Sequence, residues 1–199
     1  MNTIILGGFL GSGKTTTLLS MAHYLVENST SESEVKVMII ENEVGEIGID
    51  DDFLRGGGLQ VNTLFSGCAC CTLSGELTVT AQKIQTEYSP EWLIIETTGI
   101  AYPRSMQENL QHVIGTRAKI LVLIDATRWD RLMRAMSGLV IDQVQGSDAV
   151  LVNKADLADE AQLEHVTSSI VEIEPDSPVY VTIASQGIDD DVWQTIFAA

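Results

Sequence analysis

The chain is poor in positive charge: 11 lysines and arginines stand against 28 aspartates and glutamates in 199 residues, a formal net charge of -17. Such a surface repels a phosphate-covered partner such as DNA, and an anionic membrane, over most of its area, so neither is expected as a ligand. Any small phosphate compound must be held by local amides, a chosen lysine and a metal ion. Histidine is scarce as well. His23, His112 and His165 all fall on expected helices, as surface or packing residues, which argues against storage of several metal ions. The only three cysteines, Cys68, Cys70 and Cys71, lie within four positions of one another. That spacing suits metal binding or thiol chemistry in a reducing compartment better than a disulfide framework. No run reaches the roughly 18 apolar residues of a membrane span, and the start lacks a basic segment and is broken by Gly7 and Gly8, so neither a span nor a signal peptide is read and a cytoplasmic protein is expected. There is no internal repeat or low-complexity linker. Residues 1–199 read as a single domain, long enough to bury roughly 70% of the unfolded surface without a disulfide or structural metal.

What is present begins at the first residues. Asn2 to Leu6 is a short apolar run, Gly7 to Gly13 a glycine-rich loop, and Lys14-Thr15 opens an amphipathic stretch with Leu18, Leu19, Met21, Ala22, Leu25 and Val26 on its apolar side. Strand, loop and helix fit a phosphate-binding loop, G-x-x-x-x-G-K-[ST], from Gly8 to Thr15. Gly8, Gly11 and Gly13, with Ser12, let backbone N–H groups turn inward around phosphate oxygens, and the helix opening at Lys14, Thr15 and Thr16 adds its unpaired donors. Lys14 is placed for the β- and γ-phosphates, and the Thr15 hydroxyl for Mg²⁺.

Val35 to Ile40 reads as a buried strand that runs into the acidic, glycine-punctuated segment Glu41 to Asp52. With hinges at Gly45, Gly48 and Gly56 to Gly58 it is a candidate switch over a ligand; an ordinary exposed acidic loop is the other reading. Leu59 to Phe65 reads as a strand, Leu73 to Tyr88 as a helix, and Trp92 to Ile95 as a short strand delivering Glu96 to its carboxyl end. There a carboxylate can hold Mg²⁺ or the attacking water, and Gly99 can offer its amide to a γ-phosphate. A helix from Pro103, a strand Lys119 to Ile124, a helix Trp129 to Val144 and a strand Asp148 to Val152 follow. The last runs into Asn153-Lys154-Ala155-Asp156, the N-K-x-D pattern of guanine recognition. Asp156 accepts from guanine N1–H and the 2-amino group, Asn153 braces the loop, and the Lys154 stem covers the base. A helix Glu160 to Val171, a strand Val179 to Ile183 and a short C-terminal helix close the alternation. The implied fold is α/β: a three-layer P-loop nucleotide-hydrolase fold, its mainly parallel sheet covered by helices on both faces.

Taken together, Gly7 to Thr16, Glu41-Asn42-Glu43-Val44-Gly45, Gly67-Cys68-Ala69-Cys70-Cys71, Glu96-Thr97-Thr98-Gly99 and Asn153 to Asp156 resemble, in order and spacing, the CobW branch of the GTPase group that also contains UreG and HypB. The C-x-C-C sequence is the most discriminating feature. The resemblance implies a GTPase that uses Mg²⁺ and delivers or inserts a transition metal, Zn²⁺ or Co²⁺, for a client metalloprotein or corrinoid protein, and it implies a homodimer. It assigns Lys14 and Thr15 to phosphate and Mg²⁺, Glu41 to Gly45 (Glu43 included) to a first switch, and Glu96 to Gly99 to a second. Cys68, Cys70 and Cys71 become metal ligands; Asn153 and Asp156 select guanine. The chain departs from most of that family in stopping near the end of the GTPase domain and in lacking a histidine-rich stretch, which leaves a stand-alone form or a separate partner subunit as the expectations.

Two rivals stand beside this reading. A regulatory GTP/GDP switch would clamp a partner without handling transition metal. A small-molecule kinase shares the phosphate loop but gives no reason for Asn153 to Asp156. Slow hydrolysis is expected, because no arginine finger is evident: Arg55, Arg104 and Arg117 are candidates that the sequence does not assign, and a partner could supply one in trans.

Overall fold

The computed structural model describes residues 1–30, 35–41, 59–63 and 73–198. Strand β1 (Asn2–Gly8) leads through the glycine loop into α1 (Lys14–Glu27), followed by β2 (Val37–Glu41), β3 (Leu59–Thr63), α2 (Leu73–Glu87), β4 (Trp92–Glu96), α3 (Pro103–Ile114) and β5 (Lys119–Asp125). Then come α4 (Trp129–Val144), β6 (Ala149–Asn153), α5 (Glu160–Ile173), β7 (Val179–Val181) and α6 (Asp190–Ala198). The seven strands form one sheet in the order β3-β2-β4-β1-β5-β6-β7, every pair parallel.

Strand composition explains that sheet. Ile4, Leu6, Val37, Ile39, Ile94, Leu121 and Leu151 face one side, packed with Leu18, Met21 and Trp193 of α1 and α6. Ile5, Met38, Ile40, Leu93, Ile95, Val122 and Val150 face the other, against Leu77, Leu110, Trp129 and Val166 of α2 to α5. Alternate side chains pointing to opposite faces make a strand apolar throughout when both faces are covered. Each such Ile or Leu, fully buried, contributes about 1.5–3 kcal/mol of transfer free energy. Local signals set the helix ends. Pro103 opens α3, where its missing N–H costs nothing, and Gly115 (φ 76) closes it in the left-handed region. Asp159 caps α5 by accepting from Gln162 N at 2.8 Å.

Several element ends depart from the sequence expectation. β2 begins at Val37 rather than Val35, β3 is described only to Thr63, and α2 and α5 end at Glu87 and Ile173. β6 begins at Ala149 because the Asp148 side chain turns back to accept from Ile120 N (2.8 Å) and from Arg117 (2.7 Å). β7 ends at Val181, not Ile183, because Ala184 N donates to the Asn153 side chain at 2.8 Å and the backbone turns out of the sheet. Among the described residues no helix is long and apolar enough to cross a membrane.

Candidate functional site

The site forms where β1, β4, β5 and β6 end. Beyond β1 the chain turns through Gly8 (φ 134), Gly11 (φ 77) and Gly13 (φ 102) before entering α1. Gly13 shows why glycine is required. Its φ is left-handed, and a Cβ there would lie 2.4 Å from Asn153 Nδ2. The loop is tied inside by Ser12 N donating to Phe9 O (3.1 Å), and the buried Lys14 ammonium donates to the same carbonyl at 3.4 Å. Thr16 lies exposed at the start of α1.

Three side chains grip the loop from outside. Asn153 Nδ2 donates to Ser12 O at 2.8 Å, Lys154 Nζ to Gly11 O at 2.6 Å, and Arg128 Nη1 to Leu10 O at 2.7 Å. Asn153 is buried and also takes Ala184 N on its Oδ1, so both ends of its amide are used. Lys154 has φ 63 and makes a second bond, to Asp125 Oδ2 at 2.7 Å. Asp125 in turn is buried and accepts from Thr127 N (3.0 Å) and Thr127 Oγ1 (2.6 Å). Asp156, two residues on, lies exposed on a 3-10 turn, free of this bracing role.

At the other end of the loop the Thr15 hydroxyl donates to Glu96 Oε1 at 3.4 Å. Glu96 is buried at the end of β4, beside Leu6 of β1 and in register with Glu41 of β2. Thr97 continues the sheet by donating through both N and Oγ1 to Leu6 O (3.0 and 3.1 Å). Gly99 lies against the Leu10 backbone, so close that a Cβ on it would be 2.6 Å from Leu10 N. Its carbonyl, and that of Ala101, accept from the buried Gln143 amide of α4 at 3.1 and 3.2 Å. The turn from Gly99 to Ala101 is thereby held by a helix 42 to 44 residues further along the chain.

These residues suit a Mg²⁺–nucleotide. Glu96 and Glu41, paired across β4 and β2, and the Thr15 hydroxyl beside Glu96 are hard oxygen donors of the kind Mg²⁺ prefers. Ser12 Oγ and Thr17 Oγ1 are buried with no partner, Ser12 in the loop itself, where a phosphate oxygen would satisfy it.

The expected residues Gly8, Gly11, Ser12, Gly13, Lys14, Thr15, Glu96, Gly99, Asn153 and Lys154 therefore gather at one end of the sheet, with Glu41 and Asp156 at its margin. Arg117 does not join them. It pairs with Asp148 at the opposite end of the strands, and Arg104 pairs with Glu108 on α3. His165 pairs with Asp130 at 3.0 Å, while His23 and His112 are exposed on their helices. Glu43, Arg55, Cys68, Cys70 and Cys71 lie outside the described residues, and among those described there is no group of three His, Cys, Asp or Glu able to hold a metal. Asp125, Arg128 and Gln143 were not legible as site residues. Only Asp125 had a signal, an acid ending an apolar strand as Glu96 does.

Residues 2–181 match the family model described as CobW/HypB/UreG, nucleotide-binding domain. The chain belongs to this family. The zinc chaperone YjiA of Escherichia coli (strain K12) is 33% identical over 195 residues, covering 93% of this chain and 58% of YjiA. The solved Zn(II)-bound YjiA GTPase superposes with a TM-score of 0.65 at 28% identity, over 95% of this chain and 59% of that one. The hydrogenase maturation factor HypB from Archaeoglobus fulgidus shares the fold, with a TM-score of 0.68 at 18% identity over 100% of this chain and 89% of its own. The CobW-family chain described here spans about half the length of the curated relatives it matches, 58% of YjiA and 44% of the zinc-regulated GTPase metalloprotein activator 1 of Dictyostelium discoideum.

Proposed function

We propose that the chain binds GTP with Mg²⁺, hydrolyses it slowly, and couples its nucleotide state to a transition metal carried for a client metalloprotein or corrinoid protein in a reducing compartment. The observation that carries the reading is the junction of two loops. Asn153 and Lys154 hold the carbonyls of Ser12 and Gly11, so a guanine seated at Asp156 and phosphates seated over the loop belong to one ligand.

In this reading Gly8, Gly11, Ser12, Gly13, Lys14, Thr15 and Thr16 line the phosphates, and Thr15, Glu96 and Glu41 supply oxygens for Mg²⁺. Bound Mg²⁺ would neutralise charge on the β- and γ-oxygens. Lys14 adds its cation to the same oxygens, the Gly99 amide donates to the terminal phosphate, and the Glu96 carboxylate holds Mg²⁺ or orients water. Asp156 accepts from guanine N1–H and the 2-amino group, so adenine would leave a carboxylate unpaired. Cys68, Cys70 and Cys71, with Glu43 as an auxiliary ligand, carry the cargo metal. Three thiolates suit Zn²⁺ or Co²⁺ and leave one tetrahedral position for a client's ligand. Support for metal comes from the C-x-C-C sequence and from relatives that are named zinc chaperones.

The test is displacement of a fluorescent GDP by GTP and ATP, with phosphate release measured for wild type and Glu96→Gln. Selectivity for GTP of about 10³-fold or more is expected, since sites built on paired donors reject analogues lacking them strongly. Equal competition by ATP removes the guanine assignment. Guanine selectivity without any zinc binding leaves a regulatory switch in place of a metal carrier.

A further inference from the structure

We propose that Arg128 is a positioning residue for the phosphate loop, acting through the Leu10 carbonyl to aim the Gly11 amide at the nucleotide. The inference rests on the GTP reading above. Three consecutive carbonyls, those of Leu10, Gly11 and Ser12, each accept from a different side chain outside the loop: Arg128, Lys154 and Asn153. In a trans peptide the C=O of one residue and the N–H of the next point in opposite directions. Holding these carbonyls outward therefore turns the N–H groups of Gly11, Ser12 and Gly13 toward the concave side. Ser12 N–H is spent within the loop on Phe9 O. The Gly11 and Gly13 amides remain for phosphate, Gly13's set by Asn153 and Gly11's by Arg128.

The geometry favours a built contact over a chance one. Arg128 follows the turn in which Asp125 accepts from Thr127 N, and precedes Trp129, which is 2% exposed, so the backbone that delivers its side chain is fixed on both sides. The guanidinium packs closely over residue 11, where the lack of a side chain leaves it room. A Cβ at Gly11, whose φ is +77, would lie 3.2 Å from Arg128 Nη1. In a chain with 28 acidic residues, Arg128 has no ion-pair partner among the described residues and spends its donor on a carbonyl instead. A full positive charge is thereby kept beside the phosphate loop, whose own lysine lies on its inner side. The contact is also partly exposed, so removing it disturbs the loop more than the core.

The experiment compares wild type, Arg128→Ala and Arg128→Lys for GTP turnover, GDP affinity and thermal midpoint. A misaimed donor costs chemistry more than binding, so Arg128→Ala is expected to lower kcat about tenfold while GDP affinity changes less than about threefold and the midpoint stays within about 2 °C. Arg128→Lys, which keeps a donor within reach of Leu10 O, recovers most of the loss, and millimolar guanidinium ion restores turnover to Arg128→Ala. Wild-type turnover in Arg128→Ala, or a loss that neither lysine nor guanidinium repairs, overturns the role of Arg128 and leaves the GTP reading standing. A wild-type chain without guanine selectivity or GTP turnover overturns both.

Discussion

Replacing Asn153 by alanine should separate bracing from base reading within the N-K-x-D segment. Asn153 is 3% exposed and uses both ends of its amide, donating to Ser12 O and accepting from Ala184 N at 2.8 Å each. Ser12 and Ala184 are themselves 1% and 5% exposed, so water cannot readily replace the lost amide. Each buried group stripped of its partner costs about 1–3 kcal/mol, and two of them place the loss near 4 kcal/mol, or roughly 8–16 °C in the thermal midpoint of a chain this size. Urea denaturation of the nucleotide-free protein measures this without any contribution from ligand binding. Asp156→Asn is the control: at an exposed position its stability should stay within about 0.5 kcal/mol of wild type, while guanine binding weakens and a xanthosine nucleotide is favoured. An Asn153→Ala loss below about 1 kcal/mol would refute the claim that this side chain joins the base loop to the phosphate loop.

Gly13→Ala should cost at least about 2 kcal/mol and abolish GDP binding, since it combines a left-handed φ of 102 with a Cβ 2.4 Å from the Asn153 amide; equilibrium denaturation and nucleotide titration check both. Glu96→Gln should bind GDP within about threefold of wild type but release phosphate at least about tenfold more slowly, and a parental rate would mean that the catalytic carboxylate lies elsewhere. Substituting Cys68, Cys70 and Cys71 together by serine should abolish tight Zn²⁺ binding. In the parent, zinc affinity should fall steeply from about pH 8 to 6, because thiolates must lose protons to bind and acid returns them.

The strands and their parallel order were legible because residues buried on both faces leave continuous apolar runs, and the phosphate loop because its glycines are demanded by local geometry. Asn153 was legible as a brace for the same reason: its motif states its partner chemistry in four consecutive residues. Arg128 and Gln143 were not, because a carbonyl acceptor leaves no mark on the sequence of the residue that carries it. Gln143 in particular reads as one more polar residue on α4. Its role depends on that helix's approach to the Gly99–Ala101 turn, which periodicity alone does not announce. Arg117 misled in the opposite way. Its charge invited a catalytic reading, but its place before β5 puts it at the end of the sheet away from the phosphate loop, on Asp148.

The central claim, that nucleotide state and carried metal are coupled, is tested most directly by titrating Zn²⁺ into the chain loaded with GDP and again with a non-hydrolysable GTP analogue. The account predicts one zinc per chain, an affinity that differs between the two states, and by linkage an equal factor in the analogue's affinity with and without zinc. The same zinc affinity in both nucleotide states would contradict it.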